Sequence, residues 1–218
     1  PCICVGFILV IILMKMVGNK DKETAYQKYG EVLEKAEVGD LIIFGEYEQD
    51  DNFSNGKESL EWRVLYKDDK KLLVISEYAL DTRKYDDSKF GKVDWENCSL
   101  RRWTNEKFYN QAFGHIEKLI IQSTDMNDKV FILSQEEAER YFSSDESRQC
   151  SRTIYASHKS KTGNDESRWW LRDTEYRGNS ATITSGAEIY SSGEILNPGD
   201  AVYNELDVRP ALWLSIEK

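Results

Sequence analysis

Two adjacent tryptophans limit how the C-terminal part of this chain can fold. Trp169 and Trp170 stand side by side in the segment RWWLRD. Neighbouring side chains of an extended chain point to opposite faces of a sheet. The pair therefore requires a strand that is covered on both faces, or one tryptophan in the core and another against a loop region. Leu171 favours burial of the face that it shares with Trp169, whereas the following charges do not, so alternation leaves both arrangements open.

The composition is that of a soluble globular protein. The chain has 218 residues, of which 40% are hydrophobic and 31% charged, a balance typical of a folded domain. This length suits one domain with an appendage or two small domains. The formal net charge is -10, and the 29 basic residues form no dense run, so we expect no nucleic-acid partner.

The chain begins with an almost wholly apolar segment. PCICVGFILVIILMKMVG contains Lys15 as its one charge, and it is slightly shorter than the roughly 20 apolar residues that span a bilayer. We interpret residues 1–18 as a truncated transmembrane anchor or signal segment, because polar residues follow at once. A buried core helix is the alternative. The anchor predicts localisation at the cell membrane, with the membrane as a partner.

The cysteines bear on which side of the membrane the domain lies. Beyond the apolar segment the chain contains only Cys98 and Cys150, and a lone pair fits one disulfide in an oxidising, extracytoplasmic compartment. Two unrelated buried thiols are an equal alternative. Cys98 also precedes a predicted helix, where the pKa of a thiol can be lowered, so it is the cysteine to test as a nucleophile.

Hydrophobic periodicity predicts an antiparallel sheet in the N-terminal half. Residues 19–37 carry a helical apolar stripe and are interpreted as a helical stalk. The segment that follows, VGDLIIFGEYEQD, has strand chemistry. Trp62, Val64 and Tyr66 alternate with polar residues, and residues 72–75 return as a buried strand, which together predict a hairpin.

The second half is predicted to contain helices and then strands. Ser99 is a plausible N-cap of a helix, residues 130–133 have the character of a strand, and Ser134 with Glu137 forms the capping box of a helix that runs to Phe142. The last fifty residues contain glycine-punctuated strands. Pro210 indicates an edge position or a bulge in the final apolar run, although VRPALWL otherwise resembles a central strand.

Catalytic motifs are missing from the sequence. His115 and His158 lie far apart, and no metal-ligand spacing occurs, so no metal site is predicted. The sequence has no phosphate-binding loop, dinucleotide fingerprint or nucleophile elbow, and we expect no cofactor. The 39 carboxylates include no pair that stands out as a glycosidase pair.

Aromatic and polar residues cluster in the C-terminal hairpins. Tyr, Trp, Arg and Asn at loop tips combine rigid apolar faces with hydrogen-bonding edges, which suits sugar or protein ligands. For most of the tryptophans we prefer a place in the core. The predicted ligand-binding residues are Trp169, Arg172, Asp173, Tyr190, Asn197, Asp200, Tyr203 and Asn204.

A series of motifs resembles a bacterial domain family of unknown function that is common in Gram-positive gut bacteria. The resemblance covers roughly residues 38–216, and members of that family often follow a transmembrane segment, a zinc ribbon or short helical repeats. The family has no established reaction. The motifs, in order, are EWRVL, LLVISEYALDTRKYD, WENCSLRRWTNEKFYNQAF, DKVFILSQEEAERYF, RQCSRTIYA, RWWLRD and DVRPALWL.

The ending of the chain more distantly resembles the C-type-lectin-like superfamily, especially the branch with formylglycine-generating enzymes. That resemblance implies adjacent N- and C-terminal strands, helices in the middle and an irregular loop region used for binding. LNPGD and YNELD match neither calcium-ligand motif of the lectins. No cysteine follows Cys150, so the copper-binding cysteine pair of the enzymes is missing.

The sequence therefore predicts a single α+β domain over residues 38–218. Its expected fold is a C-type-lectin-like mixed fold with antiparallel sheets and a helical middle, preceded by an N-terminal apolar helix. The expected function is non-catalytic recognition of a glycan or protein, by a membrane-anchored extracytoplasmic module. A carboxylate-dependent glycan hydrolase and a purely structural envelope domain are the alternatives.

Overall fold

The computed structural model shows a mixed α+β fold with antiparallel sheets, as the sequence predicts. The residues that it describes are 20–88, 92–160, 167–174, 180–184 and 193–217. The predicted apolar helix, residues 1–18, lies outside them. Among the helices of these ranges, none combines the length and apolar character needed to cross a membrane.

The elements follow one another in three groups. The N-terminal group consists of helix α1 (residues 20–35) and strands β1 (Leu41–Tyr47), β2 (Glu58–Lys67), β3 (Lys71–Ser76) and β4 (Asp81–Lys84). The middle group consists of α2 (Ser99–Arg102), a π-helix (Trp103–Phe108), α3 (Tyr109–Ala112), α4 (His115–Lys118), β5 (Ile121–Gln122), α5 (Gln135–Tyr141), α6 (Asp145–Arg148) and α7 (Ile154–Lys159). The C-terminal group consists of β6 (Trp170–Thr174), β7 (Ser180–Thr184), β8 (Ile195–Ala201), β9 (Glu205–Val208) and β10 (Ala211–Ser215).

The largest sheet has the strand order β1-β2-β3-β10-β5. The predicted hairpin of β2 and β3 is confirmed, with Tyr66 opposite Leu73. On the other side of β3, Trp213 of β10 also lies opposite Leu73. Residues 72–76 are buried on both faces of the sheet, so β3 and its neighbours form the centre of the core.

Helix α1 packs onto the large sheet. Ala25, Leu33 and Ala36 are buried within the main hydrophobic core, and the ring of Tyr29 meets that of Phe44 edge-on, with centroids 5.0 Å apart. The apolar stripe predicted from the sequence is thus the face that packs. The helix predicted as a stalk therefore packs against the large sheet through this face.

The final apolar run is divided between two sheets. Strand β9 pairs with β4, and β10 lies between β3 and β5. Pro210 lies at the junction, where its carbonyl accepts the backbone N–H of Ser76 (2.9 Å), and a proline fits there because it has no N–H to donate. The central place of β10 is confirmed.

The strand predicted at residues 130–133 is reduced to a single bridge between Phe131 and Ala211.

Both adjacent tryptophans are fully buried. The Trp169 indole N–H donates to the Arg148 carbonyl (3.2 Å), and the Trp170 indole N–H donates to the Arg83 carbonyl (2.8 Å). Each ring therefore has a hydrogen-bond partner inside the protein, as a buried indole requires. The strand is covered on both faces, which is the first of the two arrangements that the sequence left open.

Asp207 is a fully buried carboxylate that joins four segments. The Arg152 guanidinium donates to both of its oxygens through Nε (2.9 and 2.8 Å), and the Thr82 hydroxyl lies 3.0 Å from Oδ1. The backbone N–H of Arg168 reaches Oδ2 at 3.1 Å. A buried charge is stable only with such partners. The contacts hold β9 against β4 and against the chain that enters β6.

Replacing Asp207 with Asn should destabilise the fold strongly. The change removes the carboxylate charge that Arg152, only 4% exposed, contacts through Nε, and removal of one partner from a buried pair typically lowers the free energy of unfolding by about 3–5 kcal/mol. Urea denaturation measures the loss. Glu136→Gln is the control, because it removes a pair with Arg140 that is mostly exposed. Equal midpoints for the two variants would contradict the role of Asp207.

Candidate functional site

A cleft of about 400 Å³ lies between the large sheet and the start of α5. Its aromatic wall contains Trp95 and Trp213, and its charged groups include Lys71, Glu137 and Arg172. Residues 122–126 complete the lining. The cleft brings together strands from both ends of the chain with the helical middle, and it contains one of the predicted ligand-binding residues, Arg172.

Arg172 is held in place by its backbone and its side chain. Its backbone N–H donates to the Leu133 carbonyl (2.9 Å), and its own carbonyl accepts the Tyr85 hydroxyl (2.6 Å). The guanidinium donates to Glu137 Oε2 (2.7 Å) and lies over the Phe131 ring, 5.3 Å from the centroid. The charged group therefore faces the cleft in a fixed orientation.

Glu137 is positioned by the predicted capping box. Its backbone N–H donates to the Ser134 hydroxyl (3.1 Å), and its Oε2 accepts the Ser134 backbone N–H (2.8 Å). The same oxygen accepts the hydrogen bond from Arg172. The Ser134 backbone and the Arg172 guanidinium thus meet at one carboxylate oxygen, and Glu137 holds Arg172 in place.

Two further predicted residues meet the first turn of the same helix. Asp173 Oδ2 accepts the backbone N–H of Gln135 (2.5 Å), which is one of the N–H groups left without partners at a helix start. The side-chain amide of Asn197 donates to Gln135 Oε1 (3.0 Å). The structure therefore brings Arg172, Asp173 and Asn197 together around the start of α5.

The other predicted polar residues form a second group at the turn between β8 and β9. Asp200 pairs with Arg168 (3.1 Å) and accepts the side-chain amide of Asn204 (2.7 Å). Tyr203, in the same turn, is 41% exposed. These side chains stabilise the turn, and no described contact joins them to the start of α5. Tyr190, the remaining predicted residue, lies outside the described residues.

Trp169, one of the predicted ligand-binding residues, lies in the core. The side chain has no exposed surface, and its ring packs against Phe142, with centroids 6.4 Å apart. The buried guanidinium of Arg209 covers the ring at 5.5 Å. The physical reason is that these groups cover the face of β6 that Trp169 shares with Leu171. The charged residues farther along the strand therefore do not expose the ring to solvent.

Trp213 lines the cleft but is not among the ligand-binding residues predicted from the sequence. It is partly exposed, and Leu212 and Leu214 on either side of it are fully buried. The ammonium of Lys71 lies 4.1 Å from the centre of the indole. The alternation of ALWLS, with leucines at every second position, was the signal that placed Trp213 on the opposite face of β10.

The predicted disulfide between Cys98 and Cys150 is not formed, since both described thiols are free. Cys98 caps α2, where its sulfur accepts the Arg101 backbone N–H (3.3 Å). Despite this position, burial raises the pKa of the Cys98 thiol to about 12. Burial also raises the pKa of Cys150. Desolvation outweighs the effect of the helix start, so neither thiol is activated as a nucleophile.

Within the described ranges, one group of side chains that could hold a metal ion lies near the loop after β1. Oxygens of Glu48, Asp50 and Glu58 lie within 4.8 Å of one another, and carboxylate oxygens are the ligands that Ca²⁺ prefers. The histidines are elsewhere engaged, His115 with Asp21 (3.1 Å) and His158 with the next loop residue, Asp51 (2.7 Å). Acidic groups on a loop are common without an ion.

A second cavity of about 400 Å³ lies beside the π-helix. Arg83, Arg102 and Lys107 line it together with Trp103, and the Arg83 guanidinium lies 4.3 Å from the centre of the Trp103 ring. Single π-helical turns occur frequently at functional sites. Sequence reasoning missed this cavity, because a π-helical turn has no distinct periodicity in so short a segment.

The fold and the cleft define an α+β domain with a ligand-sized cavity, and a comparison with known families identifies its family. Residues 69–216 match the family described as Domain of unknown function (DUF6273). The chain therefore belongs to this family, which confirms the predicted membership in a family of unknown function. No curated protein and no solved structure matches the chain.

The raised pKa of Cys98 predicts a thiol that resists alkylation. At about pH 8 an ordinary exposed thiol reacts through its thiolate, whereas the buried Cys98 thiol should stay protonated and shielded. Iodoacetamide treatment followed by peptide mass spectrometry should find Cys98 unmodified in the folded protein. The urea-unfolded protein is the control and should be modified fully. Equal labelling rates in the two states would contradict the environment described for Cys98.

Proposed function

We propose that the domain is a non-catalytic recognition module that binds a glycan in the cleft at Arg172. The observation that carries this proposal is that the guanidinium of Arg172 and the indole of Trp213 line the same cavity of about 400 Å³. This volume falls within the range of about 300–1,000 Å³ that small-ligand sites occupy.

The chemistry of the lining suits a sugar ring. A sugar presents an apolar C–H face and an edge of hydroxyls, and an aromatic ring beside planar polar groups matches both surfaces. Trp213 supplies the ring, while Gln122 and Arg172 supply hydrogen-bonding groups in the same lining. Because Glu137 already fixes Arg172, little side-chain freedom is lost on binding.

A carboxylate-dependent glycan hydrolase is the second candidate function. Glu137 and Asp125 both line the cleft, as two carboxylates of a glycosidase would. We favour binding without turnover because Glu137 is held by the capping box and by Arg172. A purely structural envelope role remains the third proposal, and it predicts that no ligand occupies the cleft.

We also propose a C-type-lectin-like fold and a location at the cell membrane, with the domain on the extracytoplasmic side. In support of the fold, β10 lies in the same sheet as β1, β2 and β3, and helices occupy the middle of the chain. A difference is that β10 pairs with β3, and not with the first strand. The membrane location rests on the apolar sequence of residues 1–18 alone, since the cysteines form no bridge.

Replacing Arg172 with Gln should weaken glycan binding. The change removes the charge but keeps much of the side-chain volume, and loss of a hydrogen bond to a charged group amounts to about 1.5–3 kcal/mol, or roughly 10- to 100-fold in affinity. A glycan array with the 218-residue chain identifies the ligand, and titration calorimetry measures the affinity of each variant.

The matched control is Arg140→Gln, which removes an arginine of helix α5 whose side chain is 66% exposed. This variant should keep the affinity of the original chain. Equal affinities of the Arg172 variant and the original chain, or the failure of every glycan to bind, would overturn the proposal. Glycan cleavage that is lost in Glu137→Gln or Asp125→Asn would establish the hydrolase instead.

A further inference from the structure

A third cavity, separate from the Arg172 cleft, has walls of three aromatic rings. It measures about 390 Å³ and lies between the loop that follows β1 and the helix α7. Tyr47, Phe53 and Tyr155 provide the rings. Tyr47 ends β1, Phe53 lies in the loop between β1 and β2, and Tyr155 belongs to α7, so residues about a hundred positions apart form one surface.

The rings are arranged around Tyr155. Its centroid lies 6.0 Å from that of Tyr47, with an angle of 74° between the planes, and 6.0 Å from that of Phe53, with an angle of 82°. Edge-to-face rings of this kind form a corner rather than a flat stack. The ammonium of Lys159 lies 4.2 Å from the centre of the Tyr155 ring, so this ring already attracts one cation within the protein.

Negative charge surrounds the aromatic corner. Glu48 lines the cavity and is only 7% exposed. Oxygens of Asp50 and Glu58 lie within 4.8 Å of the Glu48 carboxylate. One cation, Lys57, also lines the cavity, but its ammonium is bonded to the Gln111 carbonyl (2.5 Å). Two ammonium groups lie at the rings, those of Lys57 and Lys159. Because Lys159 is already paired with Asp81 (2.9 Å), the three carboxylates leave an excess of negative charge beside the rings.

The loop that carries Phe53 is ordered by local hydrogen bonds. The backbone N–H of Asn52 donates to Glu48 Oε1 and to Asp50 Oδ1, both at 2.9 Å, and the Asn55 amide donates to Asp50 Oδ2 (2.7 Å). Phe53 is nevertheless 72% exposed, more than any other large hydrophobic side chain in the described part of the chain. The exposed ring does not stand alone, because it shares one cavity wall with Tyr47 and Tyr155, and contiguous apolar surface of this kind marks binding sites.

We propose that this aromatic cavity binds a quaternary ammonium group, such as that of choline. Such a group carries a positive charge, donates no hydrogen bonds and is covered by methyl groups, so aromatic faces together with nearby carboxylates are its natural partners. A Ca²⁺ ion would use only the carboxylate oxygens of Glu48, Asp50 and Glu58, since it binds through oxygen ligands, whereas a quaternary ammonium also contacts the aromatic rings. This site is independent of the glycan cleft at Arg172.

Titration calorimetry of the 218-residue chain with choline tests the proposal. The matched ligand is 3,3-dimethylbutan-1-ol, which has the same shape without the charge, and it should bind at least about 10-fold more weakly, since the cation–π attraction is lost. Phosphocholine and phosphatidylcholine vesicles, used in parallel, distinguish a soluble ligand from a lipid headgroup. Equal binding of choline and the neutral alcohol, or no binding of choline, phosphocholine or the vesicles, would overturn the proposal.

Substitutions test where choline binds and whether negative charge at the cavity favours its binding. Phe53→Ala should weaken choline binding by about 5- to 30-fold, and the change should leave the fold intact because the ring is 72% exposed. Glu48→Gln should weaken binding, and Lys57→Gln should strengthen it. Tyr78→Ala, which removes another exposed tyrosine, is the control and should bind normally. Unchanged affinity in Phe53→Ala would overturn the site, as would Ca²⁺ binding at Glu48 that excludes choline.

Discussion

The burial of two carboxylates on adjacent rungs of the β4–β9 ladder is the constraint on which the rest of the structure depends. Thr82 lies opposite Asp207, and Asp81 lies opposite Val208. Both Asp81 and Asp207 are fully buried. A carboxylate without partners in such a place would be far less stable than in water, so each carboxylate must accept hydrogen bonds from several segments. These hydrogen bonds then fix the segments relative to one another.

The two carboxylates support different parts of the molecule. Asp207 accepts from Arg152 and from the backbone of Arg168, which sets the start of β6 and hence the strand that presents Arg172 to its cleft. Asp81 accepts the Tyr47 hydroxyl (3.0 Å) and the Lys159 ammonium (2.9 Å). Burial raises the pKa of Tyr47, so the tyrosine remains a neutral donor, with its ring fixed as a wall of the aromatic cavity.

Local patterns in the sequence predicted the elements, and contacts between distant residues formed the sites. The capping box of Ser134 and Glu137 was predictable because its two members are three residues apart and their hydrogen bonds are local. Alternation in ALWLS places Trp213 opposite the leucines, but the cleft on that face was not predictable, because it forms only when β10 packs between β3 and β5. The same holds for Tyr47 and Tyr155, which meet only after β1 and α7 pack together.

The two proposed sites differ in how they relate to the family. The lining of the Arg172 cleft extends from Lys71 to Trp213 and lies wholly within residues 69–216, the part that matches the family. The aromatic cavity takes Tyr47 and Phe53 from the chain before that match, and only Gln111 and Tyr155 from within it. Glycan recognition would therefore be a property of the shared domain. Recognition of a quaternary ammonium would require β1 and its loop, which precede the residues that match the family.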